Sequence, residues 1–432
     1  NLTEPQAGSD LAAVRTRAIP EGDKYRISGQ KIFITYGDHE MTNNIVHLVL
    51  GRLPDAPPGV KGISLFLVPK RLLDADGNPG AENDVACASL EHKLGIHGSP
   101  TAVLVFGEKG GALGELIGEP NRGLEYMFAM MNHARLNVGL QGLAIAERAY
   151  QQAVAYARDR VQGRPIGHTG DGKLGIIGHP DVRRLLVGMK ARIEAMRGLL
   201  YEVAAAHDVA HAHPDEAMRA AAQRKVDLLT PIAKGWCTET GNVIASDGLQ
   251  VHGGMGYVEE TGAAQHFRDA RITTIYEGTT AIQANDLIGR KLIRDKGQAM
   301  RELLAAITAT AAELQTDTRL AAIGQSLDAT ARQVGDSVDW LLAAAARDQR
   351  LPYVAAVPFL HLAGLLAGAH ALARTAKAAA AVAPDGDSDG YYAAKIALAQ
   401  FYVAHILPQA AGHWAAIRFG SEAVFAVPEA HL

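Results

Sequence analysis

At Gly118-Glu119-Pro120-Asn121 the chain changes its period, and that change limits its fold more than any other feature. Before it come short runs rich in β-branched and large apolar residues: Tyr25-Arg26-Ile27-Ser28, Lys31-Ile32-Phe33-Ile34-Thr35, Ile45–Leu50 and Ile63–Val68. Clusters of Gly, Pro, Asp and Asn (PEGD, PDAPPG, DADGNPG) separate them, the pattern of an antiparallel sandwich or barrel. After it, Leu124, Met127, Phe128 and Met131 fall at i, i+3, i+4 and i+7, one face of a helix. Helix is predicted to about Arg160, from about Pro180 to His211, from about Pro214 to Ser246 and over Thr280–Lys291, with a Gly-rich break over Gly163–Gly178. Pro180 suits a first helical turn. From about residue 296 the chain is again helical and alanine-rich, interrupted by a polar loop at Pro384–Gly390.

A chain of 432 residues exceeds one compact domain. The reading is therefore an α+β fold in three parts: an antiparallel β domain over 1–118, a four-helix bundle over 119–295 and a further helical domain over 296–432. The formal net charge is −4 and no long basic run appears, so bulk charge does not support a nucleic-acid-binding protein. The two cysteines, Cys87 and Cys237, have neither metal spacing nor a disulfide framework; a reducing cytoplasm and no metal are expected. No charge-free stretch of about 18 apolar residues occurs. The alanine-rich run Leu360–Ala383 contains His361, His370, Arg374 and Lys377 and reads as a helix in water rather than a membrane span.

Four segments carry candidate chemistry. In Thr3-Glu4-Pro5-Gln6-Ala7-Gly8-Ser9-Asp10, small residues and hydroxyls on a turn let backbone amides approach a ligand. In Gln30–Thr35, Phe33 and Thr35 are two apart, on one face of a regular strand, where they could cover a flat ring and bond its edge. In Gln250-Val251-His252-Gly253-Gly254-Met255-Gly256-Tyr257, three glycines in four positions bare the backbone. The fourth is Arg268-Asp269-Ala270-Arg271 followed by Ile275-Tyr276-Glu277-Gly278-Thr279-Thr280, where a glutamate precedes a helix start. Taken singly, these are an ordinary turn, an amphipathic strand, a helix break and a first-turn charge favoured by the helix dipole.

Together, in this order and across a β part followed by a helical part, the four segments resemble the acyl-CoA dehydrogenase family over residues 1 to about 292. Glu91-His92-Lys93-Leu94-Gly95-Ile96-His97-Gly98-Ser99 and Tyr156–Arg164 resemble its longer bacterial branch, which has a C-terminal helical extension. The resemblance implies FAD held between the β domain and the bundle. Thr3, Gly8 and Ser9 would line the flavin and pyrophosphate, Phe33 would pack on the isoalloxazine, and Thr35 would bond near N5. Arg160, Gln162, Gln250, Gly253 and Gly254 would meet the FAD of a neighbouring subunit, which implies a homodimer or a dimer of dimers, and Thr279 would contact the phosphates or adenosine. Glu277 aligns with the catalytic base. In two sub-branches the base instead precedes an arginine on the long helix; here that position is Ala134, before Arg135, and alanine takes no proton. Arg135, Tyr276 and Gly278 would shape the thioester site.

The implied reaction is α,β-desaturation of an acyl-CoA to the trans-2-enoyl-CoA. Glu277 would take the α-proton while its backbone N–H binds the thioester carbonyl, and the β-hydrogen would leave as hydride to the flavin. Burial beside Tyr276 and the flavin would raise the proton affinity of Glu277. An electron-transfer flavoprotein would reoxidise the cofactor. Straight-chain acyl-CoAs and 3-methylmercaptopropionyl-CoA are both among the implied substrates. Two alternatives share the scaffold: an acyl-CoA oxidase, and a non-catalytic or DNA-associated flavoprotein. The latter calls for a basic surface that residues 296–432 do not suggest, and no nucleic-acid partner is expected. Ala281 replaces the Gln that the family usually has two residues past the threonine, which puts one adenosine contact in question. The segment after Arg160 lacks the Phe often found before the glycine, and His168–Gly178 is longer than in short relatives. The family's N-terminal helical domain does not precede Asn1, so the chain is expected to be part of a longer protein.

Overall fold

The computed structural model describes residues 1–170, 172 and 174–432. They form two compact units, Asn1–His133 and Ala134–Leu432.

The first unit is built on strands β1 (Arg17–Glu21), β2 (Lys24–Thr35), β3 (Val46–Gly51), β4 (Ser64–Pro69), β5 (Arg71–Leu73), β6 (Pro79–Glu82), β7 (Val85–Leu90), β8 (Thr101–Phe106) and β9 (Ala112–Leu116). The main sheet runs β3-β4-β9-β2-β8-β7 with β1 also on β2; every pairing is antiparallel, and β5–β6 is a separate ribbon. β2 is the shared strand: its first half pairs with β1 and β9, its second with β8. Ile27, Phe66, Val68, Leu104 and Phe106 fill the core of this sheet. The two expected runs at 25–28 and 31–35 are one strand, and it is bulged. The register slips between Lys31 and Ile34, and Phe33 takes the left-handed φ of 59°. Phe33 and Thr35 are both exposed, but on a bulge rather than on the regular strand face that simple alternation predicts.

Helix α1 (Gly123–Asp159) begins in the first unit, where Gly123 lies so close to β4 that an added Cβ would meet the carbonyl carbon of Ser64 at 2.2 Å. The second unit continues with α2 (Pro180–Ala212), α3 (Glu216–Val251), α4 (Ala263–Arg271), α5 (Thr280–Ile288), α6 (Gln298–Gln315), α7 (Ala321–Arg347), α8 (Leu351–Val354), α9 (Ala356–Gly386), α10 (Tyr391–Phe401) and α11 (Gln409–Ala415). Pro180 sits in the first turn of α2, as expected, and Asp215 caps α3 by accepting from the Ala217 N–H. Helix α3 runs five residues past the expected end at Ser246, and within the loop expected at Pro384–Gly390 the residues from Asp387 on are non-helical. Asp171 and Lys173, within the long segment His168–Gly178, lie outside the described residues.

One hydrophobic core runs through the second unit. Met189, Leu199, Leu229, Trp236 and Leu287 from the earlier helices pack with Ile307, Val334, Phe359, Leu366 and Tyr402 from the later ones. Its central member is α9, which packs against α2, α3, α5, α6 and α7. Within it Ala356–Val382 is, by length and composition, apolar enough to cross a membrane, yet 83% of its 18-residue apolar window is buried inside the fold. It is a core helix.

Candidate active site

In the first unit, two of the four segments come together. The turn Glu4–Ala7 closes on itself with a pair of backbone hydrogen bonds of 3.0 Å. It is laid along β2, where the Ile32 N–H donates to the Thr3 carbonyl at 3.0 Å and Lys31 Nζ donates to the Leu2 carbonyl at 3.1 Å. Beneath the turn, Lys31 and Glu4 form a buried ion pair of 2.8 Å. The Glu4 carboxylate also accepts from Thr16 Oγ1 and from the backbone N–H groups of Arg15 and Thr16. Burial pushes this carboxyl up, but Lys31 and these donors outweigh burial and hold it at about 2. The root of the turn is thus fixed while its tip is open: Gly8 and Ser9 are exposed, and a Cβ on Gly8 would meet nothing within 4 Å. Among the described residues, nothing requires glycine there.

The second unit brings another pair together. Where α1 ends, the exposed Arg160 and Gln162 precede a crossing back to α2, held by Ile176 N–H on the Arg160 carbonyl at 2.6 Å and by His179 Nε2, 2.7 Å from the Gln162 carbonyl. Tyr156, one turn before Arg160, packs against His252 with ring centres 4.5 Å apart and the planes tilted by 31°. His252 is buried, anchored by Nδ1 at 2.7 Å from the Gly248 carbonyl, and opens the 3-10 turn Gly253–Tyr257. Gln250, Gly253 and Gly254 are exposed, and a Cβ on either glycine would meet nothing within 4 Å; Gly253 has φ +59°. Tyr257 is 87% exposed.

The Glu277 loop, also in the second unit, is organised differently. It joins the short turn Ile272–Thr274 to α5, and two consecutive residues are left-handed, Glu277 at φ 53° and Gly278 at φ 87°. For a glutamate that conformation is strained and persists because its surroundings impose it. Gln283 Nε2 donates to the Glu277 carbonyl at 3.1 Å and to that of Gly278 at 3.4 Å, and Lys234 Nζ donates to the Gly278 carbonyl at 2.6 Å. Thr279 caps α5, its hydroxyl accepting from the Ile282 N–H at 3.2 Å. Thr280 Oγ1 donates to Glu239 at 2.5 Å, and the Tyr276 hydroxyl donates to Gln141 on α1. With both carbonyls turned inward, the backbone N–H groups of Glu277 and Gly278 find no acceptor among the described residues.

Arg135 lies among these groups. It is buried and pairs with Asp286 of α5 at 3.3 Å; burial disfavours its charge while Asp286 and Glu277 favour it. Its Nε and the Oε1 of Gln283 are buried with no partner among the described residues. Burial, with the charge of Glu277 adding to it, pushes the Tyr276 phenol up to about 12, so it remains a donor at neutral pH. The Glu277 carboxylate itself is exposed in the chain.

Sequence reasoning does not reach Lys234, Gln283 or Asp286. Each lies mid-helix in an apolar stretch, and the available signal is a charged or amide residue at a core position of α3 or α5.

Residues 1–108 match the acyl-CoA dehydrogenase middle-domain model, residues 121–293 the acyl-CoA dehydrogenase C-terminal-domain model, and residues 303–428 a model described as acetyl-CoA dehydrogenase C-terminal like. The chain is 50% identical over 409 residues to 3-methylmercaptopropionyl-CoA dehydrogenase of Ruegeria pomeroyi, covering 94% of this chain and 69% of the relative. It superposes with a TM-score of 0.73 on Caenorhabditis elegans ACDH-11 in complex with C11-CoA, at 24% identity, covering 93% of this chain and 63% of that one. On an acyl-CoA dehydrogenase from Bacillus anthracis complexed with FAD the TM-score is 0.76 at 21% identity, with 96% and 67% covered. These two structural likenesses establish the shared fold, and the chain spans less than two thirds of the length of ACDH-11. From the models that tile its length and from the extent of its identity to the Ruegeria enzyme, this chain belongs to the acyl-CoA dehydrogenase family.

Proposed function

We propose that the protein is an FAD-dependent acyl-CoA dehydrogenase in which Glu277 removes the α-proton of an acyl-CoA thioester. One observation carries this reading: a strained glutamate held at the head of α5, with its own N–H and that of Gly278 unpaired within the described chain. Two backbone donors beside a carboxylate suit a step in which a weakly acidic C–H is deprotonated as negative charge grows on a carbonyl oxygen. Glu277 takes the proton, the N–H groups receive the thioester oxygen, and Tyr276 and Arg135 close the polar side of the site. Gly278 permits the left-handed turn that presents them.

The residues fit FAD on the grounds that they leave open what the fold does not use. Gly8, Gly253 and Gly254 have free space where a side chain would stand, and Phe33 is an exposed aromatic. Thr3, Gly8, Ser9, Phe33 and Thr35 would hold the flavin from one unit. Arg160, Gln162, Gln250, Gly253, Gly254 and Thr279 would hold the remainder or a partner subunit's cofactor, in a homodimer or dimer of dimers. FAD, when bound, supplies the acceptor for the β-hydrogen as hydride, and an electron-transfer flavoprotein takes the electrons onward. Residues 1–118, 119–295 and 296–432 serve as β domain, catalytic bundle and helical extension. The free thiols Cys87 and Cys237 accord with a reducing cytoplasm.

Identity to the Ruegeria enzyme makes 3-methylmercaptopropionyl-CoA the first substrate to test, beside straight-chain acyl-CoAs. The test is bleaching of flavin absorbance across an acyl-CoA panel. Glu277→Gln is expected to retain FAD and lose substrate-dependent bleaching; full bleaching by that variant would refute the assignment. Peroxide formed in air without another acceptor would identify an oxidase.

A further inference from the structure

Lys234 is a lysine where lysine is costly. It lies in the middle of α3 with no exposed surface, flanked by Ala233, Gly235 and Trp236 of the core. A buried ammonium has three donors to satisfy and a large desolvation cost to offset. Among the described residues its single hydrogen bond goes to the Gly278 carbonyl at 2.6 Å, and it makes no direct ion pair. A lysine kept solely for packing would be better replaced by Met or Leu of similar length, and one kept for a structural ion pair would have a carboxylate in contact. Lys234 has neither use. Its short contact is to the residue after the proposed base.

The charges around it point the same way. Glu277 faces it from the loop, Glu239 from one turn further along α3, and Arg135 from α1. On α5 and the turn after it, Asp286 and Arg290 pair with each other, and Asp286 pairs with Arg135. On α9, His361 interacts with Glu239. Burial pulls the Lys234 ammonium down to about 8, Glu277 and Glu239 work against that fall, and Arg135 adds to it. At neutral pH the cation persists, and the carboxylate of Glu277 is the leading favourable charge acting on it.

We propose that Lys234 is a positioning residue for proton abstraction: its ammonium clamps the Gly278 carbonyl and so holds the left-handed Glu277–Gly278 pair that presents the base. The role comes from peptide planarity, because a carbonyl held inward fixes the plane of its own peptide. Gln283 fixes the Glu277–Gly278 peptide, whose N–H is that of Gly278, and Lys234 fixes the Gly278–Thr279 peptide that follows, so the left-handed pair is gripped at both carbonyls. This inference rests on the reading of Glu277 as the base.

The experiment uses the full-length, FAD-loaded protein and measures kcat and KM separately. Lys234→Arg displaces the ammonium from the Gly278 carbonyl, and its kcat is expected to fall by roughly tenfold to a hundredfold, the range for a misplaced catalytic group, with little change in KM and FAD content unchanged. Lys234→Met, of similar length and without a donor, is expected to show the same split between kcat and KM. Wild-type kcat in either folded variant would overturn the clamp, and the arginine variant decides the matter alone if the methionine variant does not fold. Glu277→Gln run in parallel separates the two readings. If it turns over, the base assignment fails and this inference with it; if it is inert while both Lys234 variants behave as wild type, only the role of Lys234 fails.

Discussion

The Glu277 loop and the glycine turn at Gln250–Tyr257 belong to the same helical unit, and both are legible as motifs, yet the fold treats them in opposite ways. The loop is gripped from every side: Lys234 and Gln283 hold its carbonyls, Gln141 its tyrosine and Glu239 its second threonine. The glycine turn is anchored at its root by His252 and beyond that touches little; Gln250, Gly253, Gly254 and Tyr257 are exposed. A group that must transfer a proton, the role proposed for Glu277, needs its geometry set in advance. A surface that takes its order from a ligand or a second subunit, the role proposed for the glycine turn, needs only to be uncluttered. On the proposed reading, the contrast separates residues that act from residues that receive.

The comparison can be broken most directly at Glu277. Glu277→Gln is expected to lower turnover by about 10²–10⁴-fold, the contribution of a general base, with FAD retained; single-turnover flavin reduction measures it. Next is the support behind the loop. Asp286→Ala leaves the buried Arg135 guanidinium without its 3.3 Å partner and should cost about 3–5 kcal/mol in stability, read from denaturant midpoints. A midpoint near wild type would mean that the loop is less tightly held than its contacts indicate.

The Thr3–Ser9 turn is intermediate, fixed beneath and open above, and pH tests its fixed part. The Glu4 carboxyl is held at about 2 against 4.5 for a free one. Because the folded value is the lower, this contribution is present above about 4.5 and is lost as pH falls through 2. An acid titration of stability should therefore slope downward over that window, and Glu4→Gln should flatten the slope.

The smallest effects sharpen the contrast by pairing two glycines. Gly278→Ala meets a left-handed φ of 87° and Gln283 Nε2 at 2.6 Å, and should cost about 2 kcal/mol while displacing the clamp. Gly253→Ala has φ 59° and open space, and should cost about 1 kcal/mol. If the second is the ligand-facing surface, it will weaken FAD retention or subunit assembly out of proportion to that cost, as equilibrium dialysis and light scattering would record.

Periodicity carried much of the fold into view. The starts of α1 and α2 and the existence of α3 follow from apolar spacing and Pro180, and β3 and β4 from runs of large apolar residues. Helix α4 escapes such reasoning because only Ala263 and Ala270 of its nine residues are buried, too few to set a stripe. The bulge at Phe33 escapes because a register slip is a property of two strands, not one. In the candidate site, Glu277 and the glycines stand in recognisable segments, whereas Lys234, Gln283 and Asp286 lie tens of residues from them or one helix turn inside apolar sequence. Their meaning comes from what the fold brings beside them, which spacing along the chain does not encode.

The buried helix α9 bears on how the chain is made. With a mean hydropathy of 1.6 over an 18-residue window within Ala356–Val382, it is the segment a nascent chain could least afford to leave in water. Five of the helices it packs against, α2, α3, α5, α6 and α7, precede it in the sequence. In synthesis from the N-terminus, these five walls of its groove have therefore left the ribosome before α9 does, and α10 and α11 close over it afterwards. The order of the helices acts as a built-in chaperone, shortening the time in which this segment is open to aggregation or to capture by machinery that recognises membrane spans.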